Sequence, residues 1–286
     1  MKILVTGSSG FLGKKLVSQL SIDHEVVESH IIQDEGAARK FNLEDFQSII
    51  DLLDSSKPDL IVHGASWADV DKCEENKEKA SRVNGEATLK IARWCKENNA
   101  DMIYISSDYI FSGNNSPYDE DDKAHPVNHY GVSKLAGEQI LDINEQFKVF
   151  RIPILYGHND EGDKNTFVSE VLTALNANDE LAVDNYRIKY PLLIDDVADF
   201  LRHILNIGGN GIYHLSSDEP MTRFEWALKI AAVFGFPSDL IIKDNEIEKD
   251  SYPSKPIHVQ LVNNRHNFTF KTVENGLALM ERAYAI

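Results

Sequence analysis

Tyr130 and Lys134 stand four residues apart in HYGVSKLAGE, residues 129–138. On an α-helix that spacing puts both side chains on one face, so a phenol and an ammonium can share one site. A free phenol titrates near pH ~10 and is a poor proton-transfer group at neutrality. A nearby cation favours the ionised phenol, and a shift of about three units needs roughly 4 kcal/mol. A phenol tuned this way can donate a proton to a carbonyl oxygen while hydride reaches the carbonyl carbon. The same spacing is also an ordinary helical turn, so the pair needs context.

Two further features supply it. TGSSGFLG places Gly7, Gly10 and Gly13 directly after the apolar run KILVT. Glycines let the backbone turn tightly and approach a pyrophosphate, whose charge meets the amides at a helix N-terminus. The GxxGxxG spacing is one residue longer than the GxGxxG fingerprint, but its place after a first strand predicts dinucleotide binding. Glu28 lies 21 residues after Gly7, where an acidic residue binds a ribose 2′-hydroxyl and favours NAD. Lys14, His30, Arg39 and Lys40 can instead approach a 2′-phosphate, so NADPH and NADH both stay open. Ser106-Ser107 ends a later apolar run, just over 20 residues before Tyr130. A hydroxyl there can bond the same carbonyl oxygen as the phenol.

The elements that must hold these residues alternate. Residues 2–6, 25–28, 60–63, 102–106 and 149–152 read as strands. Residues 11–20, 43–53 with Asn42 as cap, 70–98 with a break near Asn76, and the 130s and 140s read as helices. Such alternation predicts right-handed βαβ crossovers and a Rossmann-like, doubly wound parallel sheet, an α/β fold with its crevice at the carboxyl ends of the strands. After Tyr156 the rhythm changes. Helices are expected over 165–175, 194–204, 224–234 and 272–284, and a strand over 212–215; Thr222 and Glu225 form a capping box. Residues 1–156 are expected to form the cofactor domain. Residues 157–286 are expected to form a smaller C-terminal α/β lobe for the substrate, with about 190–215 returning to the first domain.

Composition excludes several classes. The chain of 286 residues carries a net charge of −17, with acidic residues spread along its length, whereas nucleic-acid binding relies on clustered Lys and Arg. No apolar run reaches the roughly 18 residues a membrane span needs, and MKILVT enters the glycine loop as a strand, not as a signal peptide. Cys73 and Cys95 lack metal-ligand spacing and read as reduced structural thiols of a cytoplasmic protein. The acidic run 118–122 lacks the spaced ligands and glycine of a calcium loop, so no metal site is assigned. His63 reads as a hydrogen-bonded core residue. Trp67 either stacks on a sugar or nicotinamide or packs against the second lobe. Arg187, Tyr190 and Lys255 either contact a nucleotide diphosphate or stand as exposed polar groups.

Taken together, TGSSGFLG, HGAS, RVNGEATLKIA, YISSDYIFSG, HYGVSK and RIPILYG resemble the extended short-chain dehydrogenases/reductases. DVDKCE, SSDYIFSG before SPYDEDD, and HPVNHYGVSKLAGE are similar to the dTDP-4-dehydrorhamnose reductase branch, and the likeness continues through YPLLIDDVADFL, GIYHLSSDEPMTRFEWALKIA and KPIHVQL. The resemblance implies an NAD(P)H-dependent reductase of a nucleotide-linked 4-keto-6-deoxy sugar. In it Ser107 is the catalytic hydroxyl, Tyr130 the proton donor, and Lys134 the residue that holds the ribose and lowers the tyrosine pKa. It also implies Tyr109 in the substrate site, and Gly7, Gly10, Phe11, Leu12, Asn42, Ala65 and Ser66 along the cofactor.

The chain departs from that branch at three positions. Ile154 in RIPILYG stands where the reductases commonly carry a substrate-facing tryptophan. Lys15 replaces a glutamate that helps some of them bind magnesium between subunits, which argues against a metal-bridged homodimer. Phe11 replaces a common glutamine. RIPILYG, KYP and PMTRFEWALKIAAVFG also resemble the methionine adenosyltransferase regulatory β subunit, which implies a cofactor-binding subunit docked on that enzyme as the alternative. Another extended-family epimerase or dehydratase is a further alternative. A dehydratase would want an acidic pair beside the serine, and Tyr109 follows Asp108 instead.

Overall fold

The computed structural model describes residues 1–30, 39–159, 165–246 and 252–284. The first half runs β1 (Lys2–Thr6), α1 (Phe11–Leu20), β2 (Glu25–His30), β3 (Arg39–Lys40), α2 (Phe46–Ser56), β4 (Leu60–His63), α3 (Val70–Glu75), α4 (Lys77–Ala80), a π-helical turn (Ser81–Glu86), α5 (Ala87–Glu97) and β5 (Asp101–Ser107). A 3₁₀ turn (Asp108–Ile110), α6 (His129–Gly137), α7 (Ile140–Ile143), β6 (Lys148–Ile152) and β7 (Leu155–Tyr156) follow. The rest comprises α8 (Phe167–Ala177), β8 (Leu181–Val183), β9 (Leu192–Leu193), α9 (Ile194–Ile207), β10 (Gly211–His214), α10 (Arg223–Phe234), β11 (Ile241–Lys243) and α11 (Val273–Tyr284).

Seven strands form one parallel sheet in the order β10-β6-β5-β4-β1-β2-β3. Strand order reverses between β1 and β4, which pair from Ile3–Leu60 to Thr6–His63. The crevice of a doubly wound sheet opens at such a point, and both glycine-bearing strand ends, Gly7 and Gly64, lie there. Strand alternation sorts the core. Leu4, Ile61, Met102 and Val149 pack beneath Ile49, Leu53, Ile91 and Trp94 of α2 and α5. Ile3, Val5, Val62 and Phe150 pack against Leu16 and Leu20 of α1 and Phe200 and Leu201 of α9. α9 and β10 thus cover and extend the main sheet. α8, α10 and α11 enclose a separate core around Tyr156, Trp226 and Leu277.

The expected strands and helices are present with ends shifted by one to a few residues. One start is corrected. Asn42 does not cap the second helix; its Oδ1 accepts the Glu44 amide, and Asp45 caps α2 by accepting from the Gln47 and Ser48 amides. Asp45 wins because the apolar stripe begins only at Phe46. Asn76 does break the long helical region, and its side chain restarts the chain by accepting the Lys79 amide at 3.0 Å. The capping box of Thr222 and Glu225 closes in both directions. Among the described residues, no helix is long and apolar enough to cross a membrane, and no cluster of three His, Cys, Asp or Glu could hold a metal.

Candidate active site

Gly7 adopts a φ of +73°, a left-handed turn that glycine accepts without steric cost. A Cβ on Gly13 would meet the Gly7 carbonyl oxygen at 2.0 Å, so α1 can lie against the loop only with glycine there. Helical bonding in α1 begins with the Lys14 amide donating to Gly10 O, and no side chain caps the end. The Gly7 and Ser8 amides donate to Ser29 O and the Gly10 amide to Gly7 O, so the first amides of α1, from Phe11 to Gly13, are the ones this helix N-terminus offers an anion. Gly7 and Gly10 line a cleft of about 330 Å³ together with Asn42, Ala65, Ser66 and Trp67. Glycine cradle, uncapped helix start and adjoining cleft fit a dinucleotide.

Ala65 is set in place by Thr6, whose hydroxyl accepts the Ala65 amide. Buried His63 bridges Thr6 and Thr88 at 2.7 and 3.0 Å, and burial drops its pKa to about 3, so it is a neutral strut. Trp67 does not contact the second lobe's core. It packs on the α2–α5 layer, with the Lys79 ammonium 5.1 Å from its ring centroid. Asn84, in the π turn, holds the Trp67 backbone from both sides and donates to the Ser133 hydroxyl. Such turns widen a helix locally and recur at functional sites.

Helix α6 explains its own composition. Asn128 caps it by accepting the Gly131 amide. A Cβ on Gly131 would sit 2.2 Å from Tyr109 O, and one on Gly137 would sit 2.5 Å from the Tyr104 hydroxyl. Two glycines cost a helix about 1 kcal/mol each, and here they let α6 nest against the end of β5. That nesting brings Tyr130 beside Ser107 and Lys134 against the β5 backbone at Ile105. The Ser107 hydroxyl lies beside the Tyr130 phenol on the same cavity wall, accepts the Tyr109 amide and donates to Asp108 Oδ1 at 3.2 Å. The Lys134 ammonium donates to Ile105 O at 2.7 Å and lies 4.3 Å from the Tyr104 ring centroid.

Burial pushes the Tyr130 phenol above its ordinary pKa; the Ser107 hydrogen bond opposes this, and Asp108 and Cys73 add to it. The Lys134 ammonium is turned to the Ile105 carbonyl, and burial brings its own pKa down to about 7. The phenol therefore stays protonated at neutral pH.

Tyr130 and Ser107 face a second cavity, of about 450 Å³, lined from both halves of the chain. Phe11, Asp108, Tyr109, Ile154, Lys189 and Arg223 also line it. Tyr109 meets Tyr130 edge-on, with ring centroids 5.8 Å apart. Leu12 packs against the α1–α9 layer. Glu28 is exposed on β2, opposite Val5, and lines neither cavity. The side chains of His30, Arg39 and Lys40 lie outside the described residues. Arg187 is buried, with its guanidinium over the Tyr186 ring, and lines neither cavity. Tyr190 is buried against His258, and Lys255 faces Asp71, so neither is a loose surface group. Lys15 is engaged by Asp195 at 2.8 Å. Cys73 and Cys95 are buried free thiols.

Two features escaped the sequence. Tyr130, Lys134 and Glu138 share a helix face at successive four-residue steps. Buried Glu138 accepts from Ser106 at 2.5 Å and from the Arg151 guanidinium through two nitrogens, at 2.8–3.2 Å. Arg151 also reaches His214 and the Glu120 backbone, so this network ties α6 to β5, β6 and β10. Lys189 is the other, and only the spatial return of the second lobe reveals it.

The sequence profile of the RmlD substrate binding domain matches residues 1–275. The chain belongs to that family. Its relatives include the probable low-salt glycan biosynthesis reductase Agl14 of Haloferax volcanii, 30% identical across 100% of this chain and 99% of that protein. Methionine adenosyltransferase 2 subunit beta of Bos taurus is 31% identical over 83% of this chain and 73% of that one. The dTDP-4-dehydrorhamnose reductase of Bacillus anthracis, solved in complex with NADP, shares the fold with a TM-score of 0.87 over 99% of each chain at 23% identity.

Proposed function

We propose that this protein is an NAD(P)H-dependent reductase of a nucleotide-linked 4-keto-6-deoxy sugar. The observation that carries the reading is that Ser107 and Tyr130 line one cavity beside a glycine cradle, with buried Lys134 one helical turn beyond Tyr130. Family membership supports it, as does the NADP complex of a reductase on the same fold. Gly7, Gly10, Phe11, Leu12 and Gly13 would hold the pyrophosphate, and Asn42, Ala65 and Ser66 the rest of the cleft. A bound nicotinamide dinucleotide, NADPH or NADH, supplies the hydride. Tyr130, held protonated by burial, donates its proton to the substrate carbonyl oxygen, and Ser107 would bond the same oxygen by turning its hydroxyl proton there from Asp108 Oδ1. Lys134 keeps a second proton source one helical turn away.

Residues 1–156 with about 190–215 would serve the cofactor, and the remainder mainly the substrate. We assign the protein to the cytoplasm, with the nucleotide sugar as its partner and a homodimer as its assembly. Purified protein given dTDP-4-dehydrorhamnose should oxidise NADPH or NADH.

A second reading is supported by the likeness to methionine adenosyltransferase 2 subunit beta and by Ile154 on the cavity wall. On that reading the chain is a cofactor-binding regulatory subunit. Tight NADPH binding without turnover of any 4-keto sugar nucleotide, together with capture of a methionine adenosyltransferase in a pull-down, would establish it over the first.

A further inference from the structure

Two charged side chains in the substrate cavity have no part in the proton transfer above. Asp108 follows Ser107 at the end of β5, is buried, and accepts the Ser107 hydroxyl. Lys189 arrives from the other side. Its backbone is fixed to Met221 by a reciprocal pair of hydrogen bonds at 2.8 and 3.0 Å, and its ammonium lies 5.7 Å from the Tyr109 ring centroid. Both line the cavity that holds Tyr130. Among the described residues, no hydrogen bond or ion pair occupies the Lys189 ammonium. Burial disfavours its charge, as do Arg223 and Arg187, while Asp108 and Asp184 favour it. The cavity lining thus presents a carboxylate acceptor and an ammonium donor close enough for each to feel the other's charge.

We propose that Asp108 and Lys189 clamp a substrate hydroxyl on the carbon next to the reacting carbonyl, the carboxylate accepting its proton and the ammonium donating to its oxygen. A hydroxyl offers one donor and two acceptor positions, which match this pair. The inference rests on the reductase reading, because Ser107 and Tyr130 fix the carbonyl and Asp108, bonded to Ser107, meets the adjoining carbon. In a 4-keto-6-deoxy sugar C5 carries the methyl group and C3 the hydroxyl, so the group read is the C3 hydroxyl. A phosphate would suit Lys189 less well, since the Asp108 carboxylate would repel it; Arg223 on the same wall is the better phosphate ligand.

The test compares binding of dTDP-rhamnose, its 3-deoxy counterpart and dTDP to the NADP⁺-loaded protein by calorimetry, for wild type, Lys189→Met, Asp108→Asn and the double variant. Wild type should prefer dTDP-rhamnose over the 3-deoxy compound at least about tenfold, as sites built around a hydroxyl do. Each variant should erase most of that preference, the double should lose little more, and dTDP affinity should move less than threefold. Unchanged discrimination in both single variants would overturn the clamp. So would a Lys189→Met loss that is equal for dTDP and the sugar nucleotide, which would make Lys189 a phosphate ligand. Discrimination without catalytic turnover would refute the reductase reading and keep the clamp; turnover without discrimination would do the reverse. Failure of all three ligands to bind would overturn both.

Discussion

Replacing Lys134 by Met should make the protein more stable relative to wild type as pH falls, by an amount the structure sets. The Lys134 side chain is 2% exposed, and burial lowers its pKa from 10.5 to about 7. Below pH 7 this lysine is charged in both states, and the folded protein bears the whole cost of burying the charge. Above pH 7 the folded protein sheds the proton while the unfolded chain keeps it until near 10.5, so the cost shrinks as pH rises. At about 1.36 kcal/mol per unit, the cost is ~5 kcal/mol at pH 6 and ~2 kcal/mol at pH 9. The packing of Met and the lost bond to Ile105 O do not depend on pH and cancel in the difference. Urea unfolding of both proteins at pH 6, 7.5 and 9, without cofactor, should show Lys134→Met gaining roughly 3 kcal/mol on wild type between the highest and lowest pH. A stability difference flat within about 0.5 kcal/mol over that range would refute the reasoning, since Lys134 would then keep one charge state throughout. The expected trend is that of a residue retained for function at a cost in stability.

Two further outcomes follow from the same packing. Arg151→Met should lose about 3–5 kcal/mol in urea unfolding by stranding the buried Glu138 carboxylate, while Glu138→Leu with Arg151→Met should recover most of it; equal losses in single and double variants would contradict this. Gly13→Ala should lower NADPH affinity at least a hundredfold by fluorescence titration, because its Cβ would meet Gly7 O, and unchanged affinity would show that the cradle moves freely.

The main sheet was readable because its strands are short apolar runs that end at glycine, proline or serine. The two- and three-residue strands β3, β7, β8, β9 and β11 were not, because so few residues carry no period. Tyr130, Lys134, Ser107 and the glycine loop could be found since each lies in a local motif with a fixed offset. Asn42 was misplaced as a cap because Asn and Asp are nearly equal at that position, and the choice fell to where Phe46 begins the buried stripe. Lys189 and the Glu138–Arg151 pair are different in kind. Their partners lie 81 residues before Lys189 and 13 residues beyond Glu138, so only the folded chain brings each pair together. Trp67 was legible as an aromatic near the crevice, but its side of the crevice depended on Asn84 gripping its backbone from the π turn.

The role proposed for the Tyr130 phenol, kept protonated by burial, is to deliver the proton of a carbonyl reduction. Its most direct test is single-turnover NADPH oxidation with dTDP-4-dehydrorhamnose, comparing wild type with Tyr130→Phe at matched cofactor occupancy. Wild type should transfer hydride, and Tyr130→Phe should lose at least about a hundredfold in rate with NADPH affinity preserved. Equal rates in the two proteins, or no turnover by a wild type that binds both ligands, would contradict it.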